Sequence, residues 1–120
     1  MNISEKMFLL TMKSNQRAKY AAMIIHRNKI IGVGYNCVSS YSTITTNTFY
    51  EAYKYSNHAE RNAIMNVRNK NLLPSSKIVI VRLNDGKIVQ AKPCKMCQDL
   101  LNKYKVSKIC TLCGDKIIKS

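Results

Sequence analysis

The sequence predicts an α/β domain, a mixed five-stranded sheet with helices packed on its faces. Three observations carry this prediction. Strand-like and helix-like segments alternate along the second half of the chain, and a hairpin signal lies near its start. The segment Ile78-Val79-Ile80-Val81 is apolar without a break. Such a strand is buried on both faces, which places helices on each side of the sheet.

Taken in order, residues 4–16 read as a helix. Asn2 with Glu5 offers a capping box, and Met7, Leu10 and Phe8 supply an apolar face. Residues 20–26 and 29–35 are rich in β-formers and are joined by Arg27-Asn28, the hairpin signal. Residues 37–57 are rich in Ser, Thr and Asn and carry Tyr41, Phe49, Tyr50, Tyr53 and Tyr55. They read as an active-site loop, with or without a short helix. Residues 58–69 are helical in composition, with Ala59, Ala63, Ile64 and Val67 on one side, and Pro74-Ser75-Ser76 breaks the pattern. A strand over 77–83 is followed by the turn Asn84-Asp85-Gly86. A helix then runs from Pro93 to about Tyr104, a strand covers 107–112, and Cys113-Gly114-Asp115 turns the chain into a short strand at 116–118. The 120 residues suit one domain, with no repeat and no linker.

Chemistry is concentrated in two motifs, His58-Ala59-Glu60 and, 33 residues after the glutamate, Pro93-Cys94-Lys95-Met96-Cys97. Each opens a predicted helix, with Pro93 suited to the first helical position. A helix N-terminus favours the thiolate that binds metal. His58 and Glu60 would lie about 200° apart on an ideal helix, so they share a site only if it lies just off the helix end. One His and two Cys leave the fourth zinc position for water, which is the catalytic pattern. Glu60 beside that position takes the water's proton and passes it to the amine leaving group.

Other readings compete with these assignments. Cys94, Cys97, Cys110 and Cys113 have the spacing of a structural four-cysteine zinc site. Against it, residues three apart on a strand point to opposite faces, so Cys110 and Cys113 do not readily reach one ion. Cys37 reads as a small apolar filler or a pocket residue. Asn36 is a turn residue or a substrate contact. His26 reads as a solvent-facing side chain at a strand end. Arg61 is a surface residue or a donor to a ligand sulfur.

The motif pair resembles the signature of zinc-dependent nucleobase deaminases. From about Ala18 to Cys113 the chain is similar to the cytidine and deoxycytidylate deaminase superfamily. The likeness includes Ile30-Ile31-Gly32-Val33-Gly34-Tyr35-Asn36 and Asn57-His58-Ala59-Glu60-Arg61-Asn62-Ala63-Ile64. It implies a three-layer fold and one zinc ion per chain, held by His58, Cys94 and Cys97. Glu60 would shuttle protons, the Ala59 backbone would meet the base edge, and Asn36 would bond the base or sugar. Arg61 and Pro93 would support the ligands. The implied reaction is attack of zinc-activated water on C4 of cytosine, releasing ammonia and leaving uracil. Three features depart from the family pattern. Lys92 stands where many relatives have a small, hydroxyl or acidic residue. The extra helix and strand of the adenosine-on-RNA branch do not follow, and no dedicated phosphate-binding segment is evident.

Composition bounds the setting and the partners. The longest apolar runs, 21–25 and 78–81, are far short of the roughly 20 residues of a membrane span. Five cysteines without a secretory leader predict a reducing compartment, cytosolic or nuclear, and not secretion. A net charge of +14 fits an anionic partner. It also fits A/T-rich codon usage, because Lys, Asn and Ile make up 40 of the 120 residues and the cations are spread along the chain. Three functions follow: a deaminase of a free pyrimidine nucleoside or nucleotide, a deaminase of single-stranded DNA or RNA, or a zinc-stabilised basic binding module without catalysis. The first is favoured by the compact length and by an antiparallel last strand, which resembles the nucleoside branch. A homo-oligomer is expected, since so small a domain gains by burying surface between copies.

Overall fold

The computed structural model describes residues 3–14, 19–38, 56–113 and 116–119. Helix α1 (Ile3–Met12) is followed by β1 (Lys19–His26), β2 (Lys29–Tyr35) and the short pair β3 (Cys37–Val38) and β4 (Ser56–Asn57). Helix α2 (Ala59–Met65), a 3₁₀ turn (Lys70–Ser75), β5 (Lys77–Asn84), β6 (Lys87–Gln90), α3 (Lys95–Lys103), β7 (Lys108–Cys113) and β8 (Lys116–Lys119) complete the order. The main sheet runs β2-β1-β5-β7-β8, with β6 also paired to β5. The aromatic stretch at 41–55 and the Asn2 cap lie outside the described residues.

Three layers form because β1 and β5 are apolar on both faces. Ala22, Ile24, Ile78 and Ile80 point to one side, where they pack with Ala59, Ala63, Ile64 and Val67 around α2 and with Leu101 of α3. Ala21, Met23, Ile25, Val79 and Val81 point to the other, under Met7 and Leu10 of α1. Alternation along one strand thus feeds two cores.

Among the described residues the main sheet has six strands, one more than the five expected from the sequence. Strand β5 pairs antiparallel with β1 along its length, but its other edge is shared. Strand β7 pairs parallel with it only at Lys77, Ile78 and Val79. Strand β6 takes over antiparallel from Val81 to Asn84. Asp85 and Gly86 both have positive φ, 51° and 75°, so the recognised turn is a tight hairpin turn and not merely a reversal. The four residues of β6 are too short and too exposed to announce a strand. Only β5 and β7 are parallel among the described strands. The first hairpin turns at Arg27 and Asn28, φ 49° and 65°, as the sequence indicated.

Two helices are shorter than the sequence reading. The described part of α1 ends at Met12. Helix α2 stops at Met65, with Asn66 as its cap, instead of reaching residue 69. Lys70 donates to the carbonyls of Met65 and Val67, at 3.2 and 2.5 Å, and the Asn69 side chain caps the 3₁₀ turn. A cation at the helix C-terminus, Asn69 capping the following turn and Asn66, whose side chain bonds Val33 on β2, end the helix before Pro74 is reached. His26 is half-buried at the end of β1, with its Nδ1 3.2 Å from Ser75 Oγ and 3.4 Å from Ser76 Oγ. The packing of the 3₁₀ turn onto β1 brings those serines to it.

The feature that positions the site is the contact of α2 with β2. A Cβ at Gly34 would lie 2.5 Å from the Ala59 carbonyl oxygen and 2.7 Å from Asn62 Cβ, and would also strike the Ala63 nitrogen. A Cβ at Gly32 would lie 2.5 Å from the Ala63 carbonyl oxygen. Asn62 Nδ2 donates to the Tyr35 carbonyl (2.7 Å) and Asn66 Nδ2 to the Val33 carbonyl (2.8 Å), so the helix is tied to the strand it rests on. Gly34→Ala should destabilise the protein by roughly 1–3 kcal/mol in urea titration, through overpacking. Gly86→Ala meets nothing within 4 Å and should cost only about 1 kcal/mol, from its positive φ.

Candidate active site

Both metal-motif helices begin in the same way. His58 is the N-cap of α2 and Cys94 the N-cap of α3, each in extended backbone conformation and neither using its side chain to cap. Their carbonyls accept the first helical bonds, from Asn62 N (3.0 Å) and Gln98 N (2.8 Å). The side chains turn toward one another instead. Pro93 thus precedes the N-cap and does not occupy the first helical position. It is buried, and its carbonyl accepts a hydrogen bond from Gln98 Nε2 at 3.1 Å, which fixes the entry to α3.

The sulfurs of Cys94 and Cys97 lie 3.6 and 3.5 Å from His58 Nδ1. All three donor atoms lie within 4.8 Å of one another. Zn–S bonds of about 2.3 Å and Zn–N bonds of about 2.1 Å at a tetrahedral angle put nitrogen and sulfur about 3.6 Å apart. The protein already holds that spacing. Cys97 is buried, His58 half-buried and Cys94 exposed, so the open side of the cluster is at Cys94.

Electrostatics point the same way. Burial pushes the Cys97 thiol far above its ordinary range, and the Glu60 carboxylate and the Cys94 thiol push it further. Glu60 is 95% buried and within hydrogen-bond reach of Cys97. Among the described residues no Lys or Arg pairs with it. Two thiols gathered on one imidazole nitrogen, one of them beside a buried carboxylate, thus call for a cation. The donor set fits one zinc ion, with three protein ligands and a fourth position open.

The four-cysteine alternative fails at Cys110. This residue is buried in β7 with Val79 and Leu112, in the core beneath α1. Cys94 and Cys97 belong to the helix layer on the other face. The side chains of Cys37 and Cys113 lie outside the description.

The remaining expected site residues are placed as follows. Ala59, the first residue of α2, is buried against β2. Asn36 follows β2, and its Oδ1 accepts hydrogen bonds from Ser14 Oγ (2.7 Å) and Tyr20 N (2.8 Å). That oxygen is committed to tying β1, β2 and the end of α1 together. Arg61 is exposed and makes no hydrogen bond to either sulfur among the described residues. The sequence reading missed Asn62 and Asn66, which hold α2 in place. Their i, i+4 spacing on the helix opposite two glycines was the available signal.

A model of the cytidine and deoxycytidylate deaminase zinc-binding region matches residues 1–113. The chain belongs to this family. Solved structures similar to it include a cytidine deaminase from Burkholderia pseudomallei (TM-score 0.65, 15% identity), with 98% of this chain and 89% of that one covered. A dCMP deaminase from the cyanophage S-TIM5, in apo form, matches with TM-score 0.60 and 20% identity over 88% of this chain and 75% of that one. The phage enzyme in complex with dCMP and dUMP matches with TM-score 0.52 and 17% identity, over 88% and 72%. No curated protein matches the sequence. At these identities the structural likeness speaks for the fold, and the family match speaks for a zinc-dependent deaminase.

Purified protein should carry one zinc per chain by elemental analysis. Cys94→Ser and Cys97→Ser should each lose most of it, while Cys110→Ala keeps it. Because buried Cys97 must give up its proton to bind metal, zinc affinity should rise with pH, read by competition with a chromophoric chelator.

Proposed function

We propose that the protein hydrolytically deaminates the cytosine base of a free nucleoside or nucleotide, giving uracil and ammonia. The observation that carries this reading is Glu60. It sits in the first turn of α2, two residues after His58, buried and in contact with Cys97. A carboxylate held beside an open metal position is a proton carrier, and a purely structural zinc site has no use for it.

Zinc, when bound, would activate water and polarise it for attack. The chain's own residues do the rest. Glu60 carries one proton from the attacking water to ring N3 as the oxygen adds to C4, then carries the second, from the new C4 hydroxyl, to the amino nitrogen. The C4–N bond then breaks, ammonia leaves, and the water oxygen remains as the carbonyl of uracil. Ala59, at the first position of α2, has a backbone N–H with no intrahelical acceptor, suited to bonding the base edge. The antiparallel pairing of β8 with β7 supports a nucleoside-type scaffold. The family name covers both nucleoside and nucleotide substrates. Self-association belongs to this reading as well, with Met65 and Met96 exposed on α2 and α3 as apolar surface for a second copy.

Glu60→Gln should keep zinc and fold while lowering kcat by roughly 10²–10⁴-fold, because only the proton carrier is removed. Ammonia release from a panel of free and polymeric cytosine and adenine compounds measures this. Undiminished turnover in the variant would refute the mechanism. Turnover confined to polymers would replace the free substrate with a nucleic acid.

A further inference from the structure

Arg82 has no part in the site described so far. It lies on β5, opposite Tyr20 of β1 and Val89 of β6. Ile80, two residues earlier, and Ala22, two residues after Tyr20, both belong to the core on the α2 and α3 side. By strand alternation Arg82 is on that same side, the side of the zinc ligands. Tyr20 packs against that core too, and it gives its backbone to Asn36: Asn36 N donates to Tyr20 O at 3.2 Å, and Tyr20 N donates to Asn36 Oδ1 at 2.8 Å. The cross-strand chain therefore runs Asn36, Tyr20, Arg82. That places Arg82 two strand spacings, roughly 10 Å, from the residue expected to meet the sugar.

Its chemistry is unspent. Arg82 is half-buried, yet among the described residues it has no carboxylate partner and no hydrogen-bond acceptor. No buried side-chain polar atom lacks a partner in the described structure, so its guanidinium nitrogens reach solvent. A buried stem with an open head is what an arginine needs to receive an anion. The planar guanidinium fits a phosphate with paired hydrogen bonds, which Lys at the same place would not reproduce.

We propose that Arg82 forms the anion subsite of the substrate pocket and binds the 5′-phosphate, making the substrate a pyrimidine nucleoside monophosphate. This rests on the deaminase reading above and narrows it. The dedicated phosphate segment missing from the sequence pattern is replaced by one side chain on the β5–β6 hairpin. The antiparallel last strand describes the scaffold, and Arg82 describes the ligand.

The test compares dCMP with deoxycytidine on the zinc-loaded enzyme, and separately measures binding of dUMP and deoxyuridine by calorimetry. The wild type should favour dCMP in kcat/KM by at least tenfold. Arg82→Gln, which keeps most of the stem, should raise KM for dCMP about 10- to 100-fold and leave deoxycytidine unchanged. Arg82→Lys should recover part of the loss. Lys87→Gln, an exposed charge at the tip of the same hairpin, should change neither substrate. The dUMP binding lost in Arg82→Gln should match the KM effect, a readout that stands without turnover. An equal fall for both substrates would make Arg82 structural, and a wild type indifferent to the phosphate would overturn the subsite. Absence of turnover on any cytosine compound, with dUMP binding still dependent on Arg82, would instead count against the deaminase reading alone.

Discussion

The backbone-to-backbone approach of α2 to the glycine face of β2 is the constraint on which the site depends. Helices ordinarily stand off a sheet by the length of their side chains. Here Gly32 and Gly34 remove one set of side chains, and Ala59 and Ala63 reduce the other. Asn62 and Asn66 then reach backbone carbonyls of the strand. The N-terminus of α2 is thereby fixed in height and rotation. His58 and Glu60, at and just inside that N-terminus, have little freedom left. Their relation does not come from sharing a helical face, since they are two residues apart. It comes from both lying within the first turn, where the cap residue and the second helical residue can look off the same end.

The second helix reaches the same point by a different route. Strand β5 carries the chain outward, β6 returns it as far as the level of Val81, and Ala91 buries itself in the core beside α2. Cys94 and Cys97 then open α3 against His58. The cluster so assembled opposes the stability of the metal-free chain. Its thiol is buried beside a buried carboxylate, and among the described residues no Lys or Arg compensates them. A divalent ion removes that penalty, so metal binding and folding of this corner are coupled. The helix N-termini contribute in the same sense, each directing partial positive charge toward the sulfurs. The packing that tolerates such a cluster is the apolar double core on β1 and β5, which has almost no polar interruption.

How far the sequence disclosed this can be judged residue by residue. The run Ile78–Val81 identified the central strand because burial on both faces leaves no room for polar alternation. His58, Cys94 and Cys97 were legible because donor chemistry and spacing at two helix starts have few other uses. Strand β6 was hidden, since Lys87-Ile88-Val89-Gln90 is too short and too polar at its ends to carry a period. The early end of α2 was hidden for another reason. Asn69 and Lys70 end it by local hydrogen bonds and Asn66 by one to β2, and composition cannot distinguish these from ordinary surface residues. Asn36 showed its position but not its employment. A side chain that ties two strands and one that meets a ligand look alike in sequence, and here the oxygen of the amide has gone to the fold.

The same hairpin that escaped the sequence pattern also bears on what the site selects. A strand that ended at Val81 and led directly into the cysteine motif would have no position for Arg82. Extending β5 by three residues and returning through β6 creates that position, pairs it across to Tyr20, and keeps it on the face of the zinc ligands. The high net charge of the chain has no bearing on this, because most of its cations are exposed and spread, and their combined field does not distinguish one anionic ligand from another. A single half-buried guanidinium does. Arg82 lies between neighbouring strands, opposite Tyr20 and Val89, on the sheet face that carries α2 and α3. Specificity at such a position follows from placement more than from charge.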